Sequence, residues 1–166
     1  MVASLSLIGL ECLLTEGRLF MRYIMAVVFI SILSFANVSM AQDEHVALFK
    51  NVSGNVKIIR DKLDLIPVAG TQLMKSDIVV SGPNSSGGIV FKDGTLLTVG
   101  SSTEIEITRY MFHPEEAKYD FSLYLKKGSA IYSSGKIGKL SPESVSLNTP
   151  RATVGVRGTR FIVKAD

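Results

Sequence analysis

Asn148-Thr149-Pro150-Arg151-Ala152-Thr153-Val154-Gly155-Val156-Arg157-Gly158-Thr159-Arg160-Phe161-Ile162-Val163 reads as two short strands folded about a bend. Side chains alternate in an extended chain, so Ala152, Val154 and Val156 share one face and Thr153, Gly155 and Arg157 the other. Arg157-Gly158 supplies the bend, because glycine takes positive φ without a Cβ clash. After it, Thr159, Phe161 and Val163 point one way, and Arg160, Ile162 and Lys164 the other. Pro150 holds Thr149 in extended geometry, so the segment enters as a strand. Arg151, Arg157 and Arg160 suggest either an anion site or the last corner of a β-fold.

Working outward, the same alternation recurs. Val145 and Leu147 alternate with Ser144, Ser146 and Asn148. Ala130-Ile131-Tyr132 and Lys136-Ile137 read as short strands around Ser133-Ser134-Gly135, with Tyr124 and Tyr132 facing outward. Lys127-Gly128 turns the chain. Before it, Tyr119, Phe121, Leu123 and Leu125 share one strand face. Tyr110 to Ala117 reads as a loop, and Glu104 to Thr108 as a half-exposed strand. Asp93-Gly94 between two apolar runs is a hairpin signal. Gly82 to Gly88 is a cluster of turn formers, Ile78 to Ser81 a buried strand, and Asp61 to Pro67 a connection. Helical periodicity is absent from this part. Short strands at this spacing predict an all-β fold of about ten to twelve strands: a compact β-roll, a short solenoid or a sandwich.

The N-terminal part is different in kind. Met21 to Ala41 has a positive start at Arg22, an apolar core from Ile24 to Phe35, and small residues at Ser39-Met40-Ala41 before Gln42. This is the pattern of a cleaved signal peptide. Its apolar run is shorter than the roughly 20 residues a spanning helix needs. Glu11 and Glu16 precede it and are unfavourable for secretion, so Met21 is the expected start and residues 1–20 an over-extension. The expected mature chain, 42–166, is one domain, periplasmic or secreted. It contains no cysteine, since the single one is Cys12, so no disulfide holds it.

Composition narrows the function. The formal net charge is +3, and removing Arg18, Arg22, Glu11 and Glu16 leaves it unchanged. The basic residues are spread out, which argues against nucleic acid. His45 and His113 are far apart, so no histidine metal cluster is expected and no cofactor. Ser133-Ser134-Gly135-Lys136 has Ser-x-x-Lys spacing, but that motif needs a helix to bring its ends together. Glu104 and Glu106 lie about 6–7 Å apart along a strand, a separation some glycosidases use; the simpler reading is an exposed strand face. Asp77 and Asp93 stand at a strand start and a turn, where backbone geometry favours Asp. Tyr110, Phe112 and Arg160 remain as a candidate partner surface.

The order of several short elements resembles the FecR-domain family. Gly54-Asn55-Val56-Lys57-Ile58 is similar to its opening strand, and Met74 to Ser85 to its Gly-Asp-containing strand and turn, with Ser76 standing where the family has Gly. Val90 to Gly100, Leu125 to Ser129 and Thr149 to Phe161 follow in the same order. The resemblance marks Asp77, Asp93, Gly94, Thr149, Pro150, Gly155, Arg157, Gly158, Thr159 and Phe161 as structural motif positions. It implies a non-enzymatic envelope module that binds a protein and relays a signal. No anti-sigma segment is expected ahead of the leader, so that activity is not carried over. Ending at Asp166 leaves an expected exposed β-edge, open to a partner or to self-association. The alternative from another class is a glycan- or peptidoglycan-binding accessory module built on Tyr110 and Phe112.

Overall fold

Alternation becomes strand after strand in the computed structural model, which describes residues 45–155 and 158–166. Residues 1–44, which include the expected leader, and Val156 and Arg157 lie outside the described residues. In chain order the strands are β1 (Ala47–Ser53), β2 (Val56–Arg60), β3 (Leu63–Leu65), β4 (Gln72–Leu73), β5 (Ile78–Ser81) and β6 (Ser86–Phe91). Then come β7 (Leu96–Val99), β8 (Glu104–His113), β9 (Lys118–Ser133), β10 (Val145–Asn148), β11 (Thr153–Gly155) and β12 (Arg160–Ala165). They make one curled, largely antiparallel half-barrel, the roll among the expected all-β architectures. A solenoid stacks parallel strands, whereas here β10 on β9 is the one parallel pair among the described strands.

Four long ribbons, each bent in the middle, build most of the sheet. β1 runs into β2 through Gly54-Asn55, β5 into β6 through 82–85, β7 into β8 through 100–103, and β9 bends within itself. On one side of the bend the order is β1-β6-β7-β9; on the other it is β2-β5-β8-β9. The first half of β9 pairs with β8 and β10, and the second half with β7 and β12. Thus β9 belongs to both walls of the roll.

The bend is hydrogen-bonded from ribbon to ribbon. The Asn55 amide donates to Ser85 Oγ at 2.9 Å, and the Gly82 amide donates to the Asn55 carbonyl at 2.8 Å. The Thr103 amide donates to Ser81 Oγ at 3.0 Å, and the Ser129 amide to Thr103 Oγ1 at 3.0 Å. Ser81, Ser85 and Thr103 are buried, so these hydroxyls satisfy backbone groups that the sheet ladder leaves open at a corner. Gly128 takes φ +92° in the middle of β9. A Cβ there would sit 2.3 Å from Thr103 Oγ1 and 2.5 Å from Thr103 Cα. Lys127-Gly128 therefore bends a 16-residue strand and does not end it, contrary to the expected turn.

Between the walls lies the core, including Phe49, Ile58, Leu73, Phe91, Leu123 and Leu125, each at most 2% exposed. A buried side chain of this size stabilises by about 1.5–3 kcal/mol. Phe121, Leu123 and Leu125 face inward as the alternation predicts.

Other elements depart from expectation. Tyr132 points into the core, its ring 5.9 Å from that of Phe121. Lys136-Ile137 is no strand: α1 (Ile137–Leu140) is a single turn of helix that buries Ile137. Gly87 and Gly88 lie inside β6, because Phe49 and Asn51 occupy the space their side chains would take. Asp61 and Lys62 both take positive φ and fold β2 back onto β3, the requirement of a tight two-residue hairpin turn. The expected loop from Tyr110 is strand as far as His113, paired with β9.

Candidate functional site

Asp77 immediately precedes β5 and is fully buried. Arg60 grips it with two hydrogen bonds, Nε to Oδ1 at 2.8 Å and an Nη to Oδ2 at 2.7 Å. The Met74 amide donates to Oδ2 at 2.8 Å. A fork against a carboxylate is the geometry that makes a buried charge tolerable. Sequence reasoning marked Asp77 but missed Arg60, seventeen residues earlier, because nothing local joins them. Ser76, just before it, has φ +70°, which accounts for glycine in the pattern that this position resembles.

Asp93 sits in the β6–β7 hairpin and is 1% exposed. Its carboxylate accepts from Thr95 Oγ1 at 2.6 Å, the Thr95 amide at 3.2 Å and the Ile137 amide at 3.2 Å. The Asp93 amide donates to the Tyr110 hydroxyl at 2.9 Å. One buried aspartate thus ties the hairpin to β8 and to α1. Gly94, beside it, takes φ +83° and faces open space. Burial first, and the Asp93 charge second, push the Tyr110 phenol well above its ordinary value. Asp93-x-Thr95 is a local signal for this clasp, since Asp side chains bond backbone two residues on.

Tyr110 is half-buried, its ring stacked on Phe91 at 5.5 Å and edge-on to Phe121 at 5.7 Å. The aromatic row continues from Phe121 to Tyr132, and from Tyr132 to Phe161 at 5.0 Å. Phe112 is also half-buried, beside Tyr119 at 6.1 Å. The candidate surface residues therefore part company: Tyr110 and Phe112 lean on the core, while Arg160 is exposed. Glu104 bonds Lys126 at 2.8 Å and approaches Lys127 at 3.8 Å, so its carboxylate belongs to a charged strand face.

The C-terminal stretch differs from its expected form at two points. Thr149 to Ala152 is a tight turn: the Thr149 amide donates to the Ala152 carbonyl at 2.8 Å, and Thr149 Oγ1 accepts from the Ala152 amide at 3.0 Å. Pro150 sits where its fixed φ suits such a turn. Gly158 lies outside the left-handed region, and a Cβ on it would meet nothing within 4 Å. The bend therefore does not need glycine's positive φ, and Arg157 lies outside the described residues. Thr159 is exposed, and its carbonyl accepts from the Ser134 amide at 2.8 Å.

The two last strands go to different places. β11 pairs with β10 and β12 with β9. Val154, Gly155 and Gly158, together with Arg160 to Lys164 of β12, line a cleft of about 500 Å³. Gly155, like Gly158, has open space where a Cβ would stand.

The sequence model for FecR protein matches residues 77–166, more than half of the 166-residue chain. The chain belongs to the FecR protein family. The match runs from the buried Asp77, just ahead of β5, through the cleft, and leaves β1 to β4 outside it. FecR proteins take part in signal transduction across the cell envelope and form a signalling and regulatory family. No curated protein matches this FecR chain, and no solved structure does. Among the described residues, no cluster of three metal-ligating side chains occurs, and no helix is long and apolar enough to cross a membrane.

Proposed function

We propose that this FecR protein is an exported, non-enzymatic module that binds a protein partner in the cell envelope and passes a signal through that contact. The observation that carries it is the edge of β12, unpaired among the described residues, which borders an open cleft inside the family-matched region. A strand edge with free backbone groups is a ready site for another chain. Three acidic residues are held in structural contacts: Asp77 by Arg60, Asp93 in its clasp and Glu104 by lysines. A glycan platform built on Tyr110 and Phe112 has less support, because both rings lean on the core. Export rests on the leader pattern at Met21 to Ala41.

Photo-reactive residues placed singly at Ile162, Leu96 and Leu65, all exposed, test the reading in intact cells. The expected result is a discrete protein adduct from at least one position, in a chain whose N-terminus is Gln42. A chain that stays unprocessed in the cytoplasm, or adducts with cell-wall glycan alone, overturns it.

A further inference from the structure

The reading above leaves the partner's chemistry open, and the β12 edge narrows it. The Ser134 amide bonds the Thr159 carbonyl while Arg160 stands opposite Ser133. In an antiparallel ladder this makes Arg160–Ser133 a pair without mutual hydrogen bonds, and pair types alternate along the strand. Phe161, Val163 and Ala165 therefore bond β9, while Arg160, Ile162 and Lys164 turn their N–H and C=O groups to the open side. The same three residues carry the exposed side chains, with Ile162 63% exposed. Across the cleft, the Thr149–Ala152 bond fixes the β10–β11 ladder in the same way. Thr153 and Gly155 thus also turn their backbone groups away from β10.

Charge decides the occupant. The cleft edge reads cation, apolar, cation, and their cross-strand neighbours Ser133, Ile131 and Ser129 are uncharged. Among the described residues neither Arg160 nor Lys164 forms a salt bridge. A second copy of this strand fits badly: antiparallel pairing about Ile162 sets Arg160 opposite Lys164, and parallel pairing sets like against like. An acidic strand reverses every one of those contacts.

Resting on the function proposed above, we infer that β12 accepts an extended segment of another protein, added as a strand, with acidic, apolar and acidic side chains at alternate positions. Backbone bonds to Arg160, Ile162 and Lys164 hold it, and the flanking cations set its register.

A labelled peptide of about seven residues, long enough to span β12, tests this against the full mature chain. Its core alternates Thr with Glu, Val and Glu. Binding is expected, with new amide-exchange protection at Ile162 and Lys164. Replacing the peptide's Glu by Lys, or making the Arg160→Glu and Lys164→Glu double variant, is expected to weaken it by about tenfold or more. A peptide with Pro in place of the central Val, which lacks the N–H that would donate to the Ile162 carbonyl, is expected to bind more weakly. Equal binding of the acidic and basic peptides, or protection elsewhere than β12, overturns the inference. No binding at all overturns it too and makes the edge cations guards against aggregation only. If, with any of these results, photo-adducts still form from Leu96 or Leu65, the partner-binding function stands and only its placement on β12 falls.

Discussion

The row of bends and the C-terminal cleft both depend on glycines, and for opposite reasons. At the bends, glycine is where another ribbon's atoms already stand: a Cβ on Gly54 would lie 2.5 Å from Ser85 Oγ, one on Gly100 2.4 Å from Ser129 Oγ, and one on Gly128 2.3 Å from Thr103 Oγ1. At the cleft, a Cβ on Gly155 or Gly158 would meet nothing within 4 Å. The first region uses the missing side chain to bring backbones together and close a hydrogen-bonded seam. The second leaves space unfilled beside an edge that no described strand pairs with. In one molecule, glycine marks both where ribbons are packed together and where space is left open.

The sharpest way to break this contrast is Gly128→Val. It meets both a positive φ and immovable backbone, so a loss of more than about 4 kcal/mol is expected, read as failure to fold or collapse of the denaturation midpoint. A variant with an unchanged midpoint would show that the seam is not crowded. Next comes Arg60→Ala, which strands the buried Asp77 carboxylate at the start of a bent ribbon. Removing one partner of a buried pair costs about 3–5 kcal/mol, reduced here because Arg60 is partly open to water; urea denaturation should show a loss of about 2–3 kcal/mol. Ser76→Gly acts in the other direction. It relieves a left-handed serine and should stabilise by up to about 1 kcal/mol; a lower melting temperature would count against strain at that position. The smallest effect is expected for Gly158→Val, within about 0.5 kcal/mol. A loss well beyond that would show the C-terminal bend to be as constrained as the seam.

Much of this was legible beforehand. Strict alternation placed Phe121, Leu123, Leu125, Val145 and Leu147 in the core, because only one face of a half-buried strand meets other strands. Asp93-Gly94 announced its hairpin, with Gly94 alone of the two at positive φ. The ordered motifs around Asp77, Asp93 and Thr149 to Phe161 pointed to the family that the match then established. The Lys127-Gly128 reading failed for a physical reason: a glycine with positive φ serves a turn or a bent strand equally, and the choice lies in Thr103 and Ser129, far off or unremarkable in sequence. Gly158 failed in reverse, since a glycine that looks like a bend turned out to need no special φ.

The sequence by itself determined which residues alternate, which tight turns form, and the family, since these depend on neighbours along the chain. Only the tertiary structure decided that β9 serves two walls, that Arg60 and Asp77 meet, and that β11 and β12 part to flank a cleft. Each of those rests on contacts between distant segments, whose free energy appears only once the whole sheet has curled.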